Sequence, residues 1–132
     1  MVYLTLQAQS FTNIHMLVNF TGNTEVNLKS RYDFDVKYID NNSECIARLK
    51  YALEYNDPEQ FELYVECYGR FQCEGIVDDQ SKKEAHVTAY KLLFPYVQNK
   101  VSQLTVDAGM SPIMLRMEKM DIEQVHIAGE KE

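Results

Sequence analysis

Alternation of apolar and polar residues dominates the first half of the chain. Ile14, Met16, Val18 and Phe20 share one parity before Thr21, Gly22 and Asn23 break the run. From Arg31 to Ile39, the apolar set Tyr32, Phe34, Val36 and Tyr38 alternates with Arg31, Asp33, Asp35 and Lys37, the period-two pattern of a strand with one wet face. Asn41 and Asn42 follow, residues that tolerate the left-handed backbone of a hairpin connection. A third series, Cys45, Ala47, Leu49, Tyr51, Leu53 and Tyr55, is long enough to leave a helix possible. Its end at Asp57-Pro58 and the strand-like run that follows favour strand, turn and strand. In that fourth run Phe61, Leu63, Val65 and Cys67 face one way, and Glu62, Tyr64, Glu66 and Tyr68 the other.

Near residue 80 the period lengthens. Ser81 followed by Glu84 reads as a capping box, which starts a helix there. Leu93, Val97, Val101 and Leu104 then recur every three or four residues, and Gly109 with Pro112 forms a stop. Pro95 predicts a kink, or two helices joined near Phe94, because it lacks the amide hydrogen and clashes with the preceding turn. The tail from Ile127 is expected to fray.

The pattern therefore predicts an α+β fold, with an antiparallel four-stranded sheet followed by a long helix. At 132 residues and 45% apolar content, one domain spanning 1–132 is expected, and a unit this small gains from partner subunits that cover more of its surface. Thirteen Lys and Arg against 20 Asp and Glu give a net charge of -7, which argues against nucleic-acid binding. Cys45, Cys67 and Cys73 are an odd number without a CxxC pair, consistent with a reducing cytoplasm. The N-terminal sequence has no signal-peptide pattern and no stretch has the length of a membrane span, so the expectation is a soluble, cytoplasmic protein without direct membrane insertion.

Candidate chemistry is sparse. His15, His86 and His126 have no ligand spacing, so no metal is implied. Phosphate-loop, dinucleotide and nucleophile-elbow motifs are missing, which leaves an enzyme reading without an anchor and implies no cofactor. Glu62 and Glu66 flank Tyr64 on one strand face, and they read either as a solubilising patch or as a docking surface for a basic partner. Residues 109–120 are more informative, because they hold four of the six methionines: Met110, Met114, Met117 and Met120. Methionine is flexible and polarizable, suited to a groove that accepts many apolar side chains, although the same residues also serve to fill a core.

Leu93, Phe94, Pro95 and Tyr96 spell LFPY, followed by helix residues Val101 and Leu104 and then Gly109, Pro112 and Leu115. This resembles the SecB family, in which LFPY precedes a helix, a Gly-x-x-Pro-x-x-Leu segment and a final helix. Ala85, His86, Ala89 and Tyr90 look like that family's AH…AY stretch, and Phe61, Val65, Gly69 and Phe71 resemble the end of its fourth strand. The similarity runs from about residue 10 to 121. Gln98 and Ser111 replace a basic residue and a Phe of the family pattern.

The resemblance implies a four-stranded antiparallel sheet packed by a long helix with a short second helix, assembled as a homotetramer, a dimer of dimers. It implies a non-enzymatic chaperone that binds unfolded preproteins and delivers them to the translocation ATPase SecA. Client contact falls to Phe71, Met110, Met114 and Met117, and SecA contact to Glu62, Tyr64 and Glu66. Alternatives are a SecB-like chaperone dedicated to one client such as an antitoxin, or a small ligand-binding α+β domain.

Overall fold

The structure, a computed structural model, describes residues 1–19 and 27–125. Phe20 and the break at 21–23, His126 and the tail from Ile127 lie outside the described residues. Strands β1 (Tyr3–Val18), β2 (Lys29–Ile39), β3 (Glu44–Glu54) and β4 (Phe61–Glu74) form one sheet in the order β1-β4-β3-β2. Every neighbouring pair is antiparallel. A single helix, α1 (Asp79–Asp107), crosses one face, and a 3-10 turn at Ile122–Gln124 is the form that the short second helix takes among the described residues.

The period-two pattern sorts the two faces. Tyr32, Phe34, Val36 and Tyr38 lie opposite Tyr51, Leu49, Ala47 and Cys45. On the other side of β3, the same residues meet Val65, Cys67, Gly69 and Phe71 of β4. All of these point to the helix side. The third apolar series is a strand, and its members from Cys45 to Leu53 are buried. Asp40, Asn41 and Asn42 all adopt positive φ in the β2–β3 turn, closed by the Ser43 amide on the Asp40 carbonyl at 3.1 Å.

β1 starts eleven residues before the run recognised in the sequence. Its register slips between Leu6 and Ala8 and again between Phe11 and Asn13. Each irregularity inserts a residue and flips parity, so the inward set changes from Leu4 and Leu6 to Gln9 and Phe11, then back to Met16 and Val18. A fixed period of two cannot follow that strand.

The start of α1 also differs from the sequence expectation. The N-cap is Asp78, not Ser81: the Asp78 carboxylate accepts from the Ser81 amide at 2.8 Å, and Ser81 Oγ accepts from the Asp78 amide at 3.0 Å. Ser81 thus plays the role assigned to Glu84, one turn earlier. The same bonds hold the Asp78 carboxyl below its usual pKa. The helix then runs through Pro95 as one element, and the division near Phe94 does not occur. Pro in a helix interior costs about 3 kcal/mol, whereas burying Leu93, Phe94 and Val97 around it contributes about 1.5–3 kcal/mol each. Packing wins. Gly109, at φ 82°, ends the helix in a Schellman arrangement, with the Gly109 amide on Val106 and the Met110 amide on Thr105, both at 2.9 Å.

Candidate functional site

Two surfaces flank the core. On the helix side, α1 covers the sheet with Ala85, His86, Ala89, Tyr90, Leu93, Phe94, Val97 and Val101, all buried. The close approach needs Gly69, where a Cβ would stand 2.8 Å from Leu93 Cδ1. Between α1 and β2 an aromatic wall forms. Tyr32 stacks on Tyr90 with centroids 5.5 Å apart, Phe34 meets His86 edge-on at 4.9 Å, and Phe94 touches both Tyr90 and Tyr51. Burial pushes the Tyr90 phenol pKa up and the His86 pKa down to about 4, so His86 is a neutral aromatic in this wall.

Residues 110–125 lie along the wall as a strap. The methionine segment within it is not helical, so a helical spacing does not describe it. The Ile113 amide donates to Thr105 Oγ1 at 3.0 Å, and Gln98 Nε2 donates to the Leu115 carbonyl at 2.7 Å. Leu115 is buried, and Met110, Ile113 and Met120 pack partly against the core. Met114 and Met117 remain 66% and 38% exposed. They border an open cavity of about 430 Å³ between the strap and the ends of β2 and β3, with Leu28, Tyr51 and Leu53 on its other wall. A second cavity, of about 370 Å³, lies farther along the strap and is lined by Tyr32, Phe34, His86 and Met120.

Phe71, grouped with the methionines in the sequence reading, lies elsewhere. It is fully buried on β4, between Leu6 of β1 and Cys45 of β3. Of the trough residues that sequence reasoning missed, Tyr51 and Leu53 carried only the parity signal of a core strand, and Leu28, just before β2, carried none. Met110 anchors the start of the strap, while Met114 and Met117 form the exposed lip.

The opposite, outer face of the sheet carries cross-strand ion pairs: Arg31–Glu54 and Arg48–Asp35 at 2.6 Å, Arg70–Glu44 at 2.8 Å and Lys50–Glu66 at 3.8 Å. Glu62, Tyr64 and Glu66 do share this face. Glu66 also accepts from Thr12 Oγ1 at 2.8 Å. Glu62 lies between Leu17 of β1 and Glu54 of β3, and among the described residues it carries no ion pair. Beside it, the small side chain of Ala52 leaves a cavity of about 350 Å³ bordered by His15, Arg31, Glu54, Glu62 and Tyr64. Among the described residues no group of three His, Cys, Asp or Glu is placed to hold a metal.

With this geometry in view, the profile of the family described as preprotein translocase subunit SecB matches residues 4–130. The chain belongs to the SecB family. The protein-export protein SecB of Jannaschia sp. is 26% identical over 98 residues, covering 71% of this chain and 57% of that protein. The one from Orientia tsutsugamushi (strain Boryong) is 27% identical over 109 residues, covering 80% and 68%. This SecB-family chain thus matches about three-fifths to two-thirds of the length of those relatives. Its fold is similar to that of a Mycobacterium tuberculosis SecB-like chaperone, solved in complex with a ChAD peptide from an antitoxin, at TM-score 0.67 and 14% identity over 88% of each chain. A Streptococcus agalactiae protein of unknown function shares the fold at TM-score 0.60 and 11% identity, covering 89% of this chain and 99% of that one.

Proposed function

We propose that this SecB-family chain is a chaperone that binds unfolded preproteins in the trough bordered by Met114 and Met117. The observation that carries the reading is the exposure of those side chains over a cavity walled by Leu28, Tyr51 and Leu53. Burial of apolar surface contributes about 25 cal/mol per Å², so an extended apolar segment is the preferred ligand and a folded client, which hides such segments, is ignored. Binding requires no nucleotide.

Delivery to SecA is assigned to Glu62, Tyr64 and Glu66. Glu62 supports it best, as a carboxylate beside an open cavity on the outer face. Assembly into a homotetramer is supported by β1, an edge strand of 16 residues without Asp, Glu, Lys or Arg, and by Leu92 and Tyr96, apolar residues exposed one turn apart on α1. Three free, buried thiols fit a reducing cytoplasm. A second reading, a chaperone dedicated to one antitoxin, draws on the fold shared with the antitoxin-peptide complex.

The decisive experiment measures solution mass with and without a reduced, unfolded client. An oligomer that gains the client's mass is expected; a monomer without affinity for it overturns the proposal.

A further inference from the structure

The chain carries six methionines and three cysteines, and their sulfur atoms do not meet solvent equally. Cys45, Cys67 and Cys73 are buried, and burial pushes all three thiols above their ordinary pKa. The thiolate is the reactive form, so the residues that usually react first with an oxidant are held back here. Met16, Met110 and Met120 pack partly against the core. That leaves Met1, Met114 and Met117 as the exposed sulfur atoms. Met1 sits beside Tyr3, which pairs with Glu74 at the end of the sheet away from the trough. The other two share the trough's lip.

Their setting follows from the path of the strap. It returns along α1 from Ile113 at Thr105 to Met120 at the cavity beside His86, about five helical turns or about 28 Å. Residues 113–121 cover that distance only when nearly fully extended, at about 3.3–3.6 Å each. Neighbouring side chains of an extended chain point to opposite sides, so Leu115 is buried while Met114 faces out. The bonds that hold the strap involve no sulfur: Thr105 Oγ1 accepts from the Ile113 amide, Gln98 Nε2 donates to the Leu115 carbonyl, and the Glu118 backbone bonds the Tyr90 phenol. A chemical change at Met114 or Met117 therefore alters the lip and leaves the strap in place.

Resting on the chaperone reading above, we infer that Met114 and Met117 form a sulfoxidation site through which hydroperoxides switch client capture off. The thioether lone pair attacks one peroxide oxygen and forms the S–O bond. The O–O bond breaks, and the second oxygen takes up the proton of the first and leaves as water or an alcohol. Sulfur is oxidised by two electrons and the peroxide is reduced by two. The sulfoxide is a strong hydrogen-bond acceptor that loses its water against an apolar client segment, so both side chains drop out of the capture surface. Sulfoxide reductases reverse the step.

The full-length chain is treated with hydrogen peroxide, mapped by peptide mass spectrometry, and titrated with reduced, carboxymethylated α-lactalbumin, which cannot refold. Oxygen is expected on Met1, Met114 and Met117 before Met16, Met110 and Met120. Capture should weaken about ten-fold or more as Met114 and Met117 convert, at an unchanged urea midpoint. Reduction by methionine sulfoxide reductases of both epimer specificities should restore it. The double variant Met114→Leu with Met117→Leu still takes oxygen at Met1, and its affinity, whatever the starting value, should stay the same across the treatment. Four results would overturn the site and leave the chaperone reading intact: resistance of Met114 and Met117 to peroxide, full conversion with undiminished capture, an equal loss in the double variant, or a loss that follows a falling urea midpoint. An untreated chain that ignores the client removes both readings.

Discussion

Gly69 shows how one residue sets the distance between helix and sheet. A methyl group there meets Leu93 Cδ1 at 2.8 Å and the Phe71 ring at 3.0 Å, both fully buried. Gly69→Ala is therefore expected to cost about 1–3 kcal/mol through overpacking, read as a lower urea midpoint at unchanged slope. His86 gives a pH dependence. The residue is 8% exposed, and burial holds its pKa at about 4 against an ordinary 6.5, with Asp35 opposing the shift and Lys119 and Asp121 lining the adjacent cavity. Below pH 6.5 the unfolded chain takes up a proton that the folded chain refuses until near pH 4. Stability from this site is thus complete above pH 6.5 and declines as pH falls towards 4, by on the order of 2–3 kcal/mol. Denaturation of the native chain and His86→Leu at pH 7.5, 5.5 and 4.5 checks this: the variant should lose less stability on acidification, and parallel losses would remove His86 from the account.

At the scale of elements, the helix start discriminates between two capping schemes. Ser81 Oγ receives the amides of both Val77 and Asp78, whereas Glu84 stands one turn farther on. Ser81→Ala should cost about 1 kcal/mol by denaturant titration and Glu84→Ala close to nothing. Equal effects would restore the Ser81–Glu84 pairing read from the sequence. That reading went astray because Ser-x-x-Glu and Asp-x-x-Ser overlap, and only the path of the chain out of β4 decides which residue has extended backbone. Strands β2, β3 and β4 were legible because their parity never slips. β1 was half legible, since two register shifts break its period. The strap was read as a methionine-rich segment but not as an extended one, because its conformation comes from α1 side chains binding its backbone.

For the whole molecule, the two proposed surfaces separate cleanly, one on each side of the sheet. Met114→Glu places a charge on the trough's exposed lip and should weaken capture of unfolded client while changing stability by less than about 0.5 kcal/mol. A large loss of stability would identify Met114 as a structural residue. Glu62→Lys reverses the charge beside the outer cavity and should weaken association with SecA, in an ionic-strength-dependent manner, without altering client capture. Equal client loss in both variants would show that the faces are not independent.

The order of elements, the parity of three strands, the helix stop at Gly109 and the LFPY stretch that marks the family were determined by local sequence, because each depends on residues within a few positions of one another. Tertiary structure decided the rest. Whether Phe71 is core or groove, whether Pro95 divides the helix, and which methionines stay exposed depend on what arrives from distant segments to cover them. Burial is a property of the assembled layers, and a period along the chain carries no record of the partner that lies across it.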